Sequence, residues 1–94
     1  MFLLQIEHPV PDFQGWKKAF DSDPLNRKAS GVRHYTISRL VDNPLYVIIE
    51  LEFDQQQQAE AMHASLKKLW TNVEGKVMTS PRSRIVERLE QVAL

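Results

Sequence analysis

The segment Leu45-Tyr46-Val47-Ile48-Ile49-Glu50-Leu51-Glu52-Phe53 carries the pattern that decides the fold. Its odd-numbered side chains are all apolar, whereas its even-numbered ones include two carboxylates. Alternation with a period of two residues is typical of a β-strand that buries one face. We therefore expect the odd-numbered residues to pack on a core, and we expect Tyr46, Ile48, Glu50 and Glu52 to lie on the opposite face of a sheet.

The residues before this strand predict a hairpin. Residues Val32 to Val41 also alternate, and they are followed by Asp42-Asn43-Pro44, a sequence typical of a tight turn. The turn is short enough to bring the two strands side by side. The second strand of the hairpin is then Leu45 to Phe53.

Two registers are open for the hairpin. A three-residue loop pairs Ile37 with Ile49 and sets His34 opposite Glu52 on the open side of the sheet. A loop of two residues, Asp42-Asn43, sets Arg33 opposite Glu52 instead. It turns the polar side chains of His34, Thr36 and Ser38 toward the core. The first register is favoured, because burying several polar side chains costs more than one cross-strand ion pair gains.

One strand and one helix precede the hairpin. Phe2 to His8 is apolar-rich and is ended by Pro9-Val10-Pro11, since proline cannot donate to a β-ladder. Asp12 is predicted to cap a helix, and the aromatic residues within that helix recur every three or four positions. Asp23-Pro24 predicts a second, short helical turn through Ala29 that ends at Gly31.

A longer helix and a last strand follow the hairpin. Asp54 and Gln57 predict a capping box, and apolar residues from Ala59 to Val73 repeat with a helical period. Gly75 is predicted to end this helix. The arginine-rich segment from Pro81 to Leu89 then predicts the fourth strand.

Length and composition exclude several classes of protein. The chain has 94 residues, no cysteine and equal numbers of acidic and basic side chains. We expect one domain over residues 1–94, without disulfides and without binding to nucleic acid by neutralising phosphates. No apolar run is long enough to cross a membrane, so we expect a cytoplasmic protein that contacts no membrane.

The order βαββαβ predicts a ferredoxin-like α+β fold. Its antiparallel sheet has the order 4-1-3-2, and both helices cover one face. The other face is then uncovered and mixes apolar with polar side chains, too apolar for bare solvent. Two such faces related by a twofold axis would cover each other around a partly polar cavity, so we predict a homodimer.

The chain resembles small bacterial members of the dimeric α/β-barrel superfamily, which include antibiotic-biosynthesis-type monooxygenases. The resemblance rests on the element order and on three motifs: Asp12-Phe13-x-x-Trp16-Lys17-x-x-Phe20, Gly31-Val32-Arg33-x-Tyr35 and Leu51-Glu52-Phe53-Asp54. It implies a homodimer with back-to-back sheets. The group includes cofactor-free monooxygenases, haem-degrading enzymes, muconolactone isomerases and members without known activity, so the fold alone does not choose the function.

The open face of the sheet offers the first candidate site. His34 or Glu7 is the predicted proton-transfer group, Tyr46 a hydrogen-bond donor, and Glu50 and Glu52 further ligand contacts. The favoured structural interpretation is that Glu50 and Glu52 pair with Arg82, Arg84 or Arg88 of the partner subunit. No segment has the spacing of a metal site, so no metal is expected.

The helices offer the remaining candidates. His63 and Trp70 share one face of the second helix, and haem-degrading relatives also use a Trp and a His beside an Asn, but the first strand offers Gln5 instead. No cofactor is therefore expected, with haem as the alternative. Trp16, with Phe13 and Phe20, either roofs a ligand pocket or is simply core, and core is favoured.

Two further features have mainly structural interpretations. His8 is interpreted as a polar strand end, and the basic strip from Lys76 to Arg88 as protection of an edge strand. An RNA-binding interpretation of the strip fails because the open face of the third strand carries one aromatic residue and two carboxylates. Two functions remain open: an enzyme that oxygenates or isomerises a small organic molecule in a cavity at the sheet face, and a non-catalytic dimer that binds a ligand or a protein.

Overall fold

The computed structural model describes residues 1–73 and 79–94 and has the element order βαββαβ. The sheet is antiparallel with the order β2-β3-β1-β4, so the predicted fold class and strand order are confirmed. Residues of both helices pack on the same side of the sheet. The elements are β1 (Phe2–Pro9), α1 (Phe13–Asp21), β2 (Val32–Leu40), β3 (Asn43–Phe53), α2 (Gln56–Val73) and β4 (Arg82–Glu87).

The core lies between β1, β3 and the two helices. In β3 the side chains of Val47, Ile49, Leu51 and Phe53 are almost completely buried, as their alternation predicts. Leu45 is the exception, because it lies at the hairpin end of β3, beyond the cover of the helices, and is 46% exposed. Burial of these side chains contributes about 1.5–3 kcal/mol each, which makes β3 the main anchor of the fold.

The hairpin has the favoured register along its centre but a different turn. Ile37 pairs with Ile49 and His34 with Glu52, as the three-residue loop predicts. At the tip, however, Leu40 pairs with Asn43, so the connection is Val41-Asp42 and the predicted loop Asp42–Pro44 is wrong. A bulge between Arg39 and Leu40 absorbs the shift, and the Asn43 side chain accepts a hydrogen bond from Leu45 N–H at 3.2 Å.

The start of α1 is as predicted, whereas the segment after it is not. The Asp12 side chain accepts a hydrogen bond from Gly15 N–H at 2.9 Å, which confirms the cap. Residues 24–31 form a series of turns instead of the predicted helical turn. Asp23 and Asn26 adopt the left-handed φ values 52° and 49°, and Asp23 accepts from the backbone N–H of Arg27, so the chain cannot start a helix there.

The ends of α2, β1 and β4 differ slightly from the prediction. The capping contact of α2 lies one residue later than the predicted Asp54 and Gln57, because Gln55 N–H donates to Gln58 Oε1 at 3.3 Å. β1 continues one residue further, to Pro9, and β4 is shorter than predicted. Gly75, the predicted end of α2, and Lys76 of the basic strip lie outside the described residues.

Among the helices of the described residues, none is long and apolar enough to cross a membrane. The cytoplasmic location expected from the sequence stays a prediction.

Candidate functional site

A cavity of about 310 Å³ lies between the helices and the sheet. Its volume is at the lower end of the range for small-molecule sites, and apolar side chains form most of its wall. It lies on the helix side of the sheet, not at the open face where the sequence predicted a cavity. Its wall includes Ile6, His8, Trp16, Ala19, Phe20, Leu66 and Trp70.

Aromatic rings form much of the cavity wall. On α1, the Trp16 ring lies 5.2 Å from that of Phe20 and 5.8 Å from that of Phe13, between ring centres. Trp70 of α2 adds a second indole to the wall, whereas Phe13 does not border the cavity. Trp16 also belongs to the buried core, as the favoured interpretation of this aromatic stripe predicts, and whether it contacts a ligand stays a prediction.

His8 supplies the cavity with a buried polar side chain, and the sequence interpretation missed it. The residue is 2% exposed, and its ring meets Trp16 edge to face at 5.8 Å. Its Nδ1 lies 3.2 Å from the carbonyl oxygen of Pro9. Burial lowers the pKa of His8 below 6.5, and the contact with Pro9 offsets part of that effect. His8 is therefore a neutral group inside the fold, not a polar strand end.

The strand parity of β1 was the signal that could have found His8. Phe2, Leu4 and Ile6 all face the helices, and in a strand the next even-numbered residue faces the same way. Because proline cannot donate to a β-ladder, Pro9 suggested that His8 is the last residue of the strand and lies at its exposed end. The pairing of His8 with Val47 shows that it does not.

His63 and Trp70 lie close together on α2 but face different surroundings. Their ring centres are 6.4 Å apart, edge to face. His63 Nε2 lies 2.6 Å from the hydroxyl oxygen of Ser83 on β4, and His63 is not part of the cavity wall. Burial, and then the charge of Lys67, lowers the pKa of His63. Of the predicted pair, only Trp70 reaches the cavity.

A charged pair at the cavity wall was also missed from the sequence. The guanidinium of Arg27 lies 3.8 Å above the centre of the Phe20 ring, and its Nη1 donates to the Phe20 carbonyl at 2.8 Å. Its Nε is 3.5 Å from a carboxylate oxygen of Asp23. Both residues border the cavity and come from the turn segment after α1. The sequence predicted a helical turn there, which would have arranged them differently.

The open face of the sheet carries polar side chains that are paired within one chain. Gln5 donates to Glu50 at 2.7 Å and accepts from Arg84 at 2.8 Å. Arg88 Nη1 lies 3.1 Å from Glu52 Oε1. The pairing of Glu52 with an arginine thus forms within one chain, whereas pairing with arginines of a partner subunit stays a prediction.

The predicted proton-transfer groups do not converge. The Tyr46 hydroxyl donates to Glu7 at 3.0 Å, and partial burial together with this carboxylate raises the pKa of Tyr46. His34 lies exposed on β2 and borders a wider groove that also includes Asp54. Among the residues that the structure describes, His34 makes no hydrogen bond to a carboxylate. His34, Glu7 and Tyr46 do not border the cavity under the helices.

Residues 1–73 and 79–94 contain no group of three histidine, aspartate or glutamate side chains placed to hold a metal ion. The candidate site is therefore best described by its apolar wall and by His8.

Comparison with known proteins identifies the fold. No protein-family model matches the chain, and no curated protein matches it in sequence. A solved structure of a dimeric ferredoxin-like protein from an uncultured marine organism is 11% identical, with a TM-score of 0.69 and 100% of both chains covered. The chain has the fold of these ferredoxin-like proteins. The resemblance to the dimeric α/β barrels is thus confirmed as a likeness of fold.

Two solved structures from Nitrosomonas europaea have the same fold. One is named "putative antibiotic biosynthesis monooxygenase"; it is 16% identical, with a TM-score of 0.62 and coverage of 96% of this chain and 100% of that one. The other is a protein of unknown function, also 16% identical, with a TM-score of 0.68 and coverage of 99% and 93%. Likeness at this identity shows the fold and leaves the activity to be argued from the site.

Proposed function

We propose that this protein is a homodimer that binds a small, largely apolar organic molecule in the cavity between its helices and its sheet. The observation that carries the proposal is the cavity itself, with two indole rings and one buried imidazole in its wall. Binding sites for small molecules are mostly apolar and contain a few well-placed polar groups. The Trp16 and Trp70 rings offer flat surfaces that suit an aromatic ligand.

The packing of the domain supports a binding role for the cavity. Protein interiors are close-packed, and side chains that line a void lose dispersion contacts. A chain of 94 residues has few such contacts to lose. A ligand of matching size would restore them, and its binding free energy would add to the stability of the fold.

Homodimer formation is supported by apolar side chains outside the core. Val41 at the hairpin tip and Leu94 at the C-terminus are fully exposed, as is most of Leu89. The hairpin tip and the C-terminal tail lie at opposite ends and opposite edges of the sheet. A twofold axis across the open face therefore can place the tail of one protomer beside the hairpin of its partner. The marine protein of this fold is itself described as dimeric.

The reaction class that we propose for the cavity is oxygenation of an electron-rich aromatic ring without a cofactor. It is supported by the aromatic wall and by the name of one protein from Nitrosomonas europaea with this fold. The second candidate is a non-catalytic binding module. It is favoured by the open face, where Glu50 and Glu52 already have partners within the chain.

A ligand titration tests the proposed function. Both tryptophans of the chain border the cavity, so their fluorescence reports an occupant directly. We expect uncharged bicyclic aromatic compounds such as 2-naphthol to change that fluorescence and to give saturable heat in calorimetry. Ala19→Leu, which narrows the cavity, should weaken binding, whereas Ala64→Leu on the exposed face of α2 should not. Absence of saturable binding, or equal effects of the two variants, would refute the proposal.

Oxygen consumption separates the two candidate functions. Wild-type protein that consumes oxygen and incorporates an oxygen atom from labelled O₂ into a bound aromatic hydroxy compound is an oxygenase. Binding without oxygen consumption across a panel of hydroxylated bicyclic compounds supports the binding module.

A further inference from the structure

His8 is the one polar residue that the described part of the chain buries almost completely. Its hydrogen bond determines which ring nitrogen carries the proton. The Pro9 carbonyl oxygen at 3.2 Å can only accept, so Nδ1 is the donor in this contact. In the neutral imidazole, Nε2 is then unprotonated and carries a lone pair.

The imidazole ring of His8 borders the cavity, and its Nδ1 is engaged by the backbone. No side-chain nitrogen or oxygen of the described residues is both buried from solvent and without a hydrogen-bond partner. Among the residues that the structure describes, His8 makes one hydrogen bond, through Nδ1, which leaves Nε2 available to a ligand. The residue is 2% exposed and borders the cavity, so the cavity is the space from which a ligand can reach its ring.

The surroundings of His8 keep it neutral. Its ring packs on Trp16, and burial disfavours the imidazolium form, which lowers its pKa. The two charged residues in the cavity wall, Asp23 and Arg27, form an ion pair with each other. Neither is among the groups that shift the pKa of His8, and Asp23, the one anion of the two, is engaged by Arg27.

A neutral acceptor in an apolar cavity selects ligands by their donors. A ligand hydroxyl placed near Nε2 gains a hydrogen bond, whereas an ether oxygen there gains none. A carboxylate would place its own lone pairs against that of Nε2 and would lose its hydration without compensation. The aromatic wall favours a flat ring system as the rest of the ligand.

We propose that His8 Nε2 accepts a hydrogen bond from a hydroxyl group of the ligand, so that the cavity selects uncharged aromatic hydroxy compounds over their ethers and over aromatic carboxylates. This inference rests on the proposed binding function and specifies its ligand class. His8 acts here as a binding and specificity residue. The ring positions of Trp16 and Trp70 then set the shape that the hydroxy compound must have.

Three matched probes test the proposal by calorimetry: 2-naphthol, 2-methoxynaphthalene and 2-naphthoate. Wild-type protein should bind 2-naphthol about tenfold more tightly than its methyl ether, 2-methoxynaphthalene, because one hydrogen bond gives a ratio of this size. It should bind 2-naphthoate more weakly than either of these two compounds. In His8→Phe the ratio of 2-naphthol to its ether should fall to about one, since the ring remains and the acceptor is lost. His8→Gln, which retains an acceptor, should recover part of the preference.

A nitrogen-15 spectrum of the histidine side chains gives an independent result. In wild-type protein, 2-naphthol should shift the Nε2 resonance of His8 in the direction of hydrogen-bond formation, and the methyl ether should leave it nearly unchanged. This measurement needs no variant, so it decides the question even where His8→Phe does not fold.

The outcomes separate the two proposals. Equal affinity of wild-type protein for 2-naphthol and its ether, with both weakened by Ala19→Leu, would overturn the role of His8 and leave cavity binding intact. No saturable binding of any probe would overturn both. Preference for 2-naphthoate would also overturn the proposal, because it would mean that a cationic donor in the wall, such as Arg27, and not the Nε2 acceptor, selects the ligand.

Discussion

Replacing Ala19 by leucine should stabilise this protein, although larger side chains usually destabilise a core. Ala19 lies on α1 and its side chain borders the cavity. Leucine adds three carbons, worth about 2.4 kcal/mol if fully buried at roughly 0.8 kcal/mol each. Because the cavity is open on one side, we expect roughly half of that, about 1 kcal/mol. In a domain of this size the melting temperature should rise by about 4–8 °C.

Urea unfolding, followed by tryptophan fluorescence at fixed protein concentration, measures this change. Ala64→Leu is the matched control, since position 64 is exposed on α2 and leucine is also a good helix former. Its stability should stay within about 0.5 kcal/mol of wild type. A larger side chain inserted into a close-packed site lowers the free energy of unfolding by about 1–3 kcal/mol. A decrease of that size in the free energy of unfolding of Ala19→Leu, with Ala64→Leu unchanged, would show that the space beside Ala19 is not available to a larger side chain.

Three further predictions address the dimer, a turn and the buried histidine. Ile48→Glu should convert the dimer to monomers, because it places a second carboxylate on the open face, directly opposite Glu7 of β1. Size-exclusion chromatography with light scattering measures the change, and a persistent dimer would contradict the proposed interface. Gly31→Ala should lower the free energy of unfolding in urea by about 1–3 kcal/mol. Gly31 has a φ of +100°, and a Cβ there would lie 2.7 Å from the Gln58 side chain. Unchanged stability would mean that the turn relaxes freely. The lowered pKa of His8 stabilises the fold fully above pH 6.5, the ordinary value, and this contribution should be lost as the pH falls toward the folded-state pKa. The lowered pKa of His63 acts with the same sign in both proteins and cancels from their comparison. The stability of wild type relative to His8→Phe should therefore fall as the pH is lowered from 7 to 5, and a difference that does not change with pH would argue against a buried neutral His8.

The faces of the sheet were predictable because strand alternation reports burial directly. Val47 and Phe53 follow that pattern, and the pairing of Ile37 with Ile49 follows from matching the apolar positions of two strands. The turn was not predictable in detail. Its position depends on a bulge beside Leu40, an extra residue in one strand that the alternation of apolar side chains does not mark.

The cavity could be predicted only in part. The spacing of Trp16 and Phe20 shows that they share one face of α1, but it does not show whether the space beneath them is filled. That depends on the path of residues 22–31, where Asp23 and Asn26 adopt left-handed conformations that sequence patterns describe poorly. His8 was predictable from the parity of β1, and proline at position 9 obscured it.

A crystal structure of the protein grown with 2-naphthol tests the central proposal most directly. We predict density for the naphthalene ring between Trp16 and Trp70, with its hydroxyl oxygen about 2.7–3.2 Å from His8 Nε2. Density at the open face of the sheet, or a ring in the cavity with its hydroxyl turned away from His8, would contradict it.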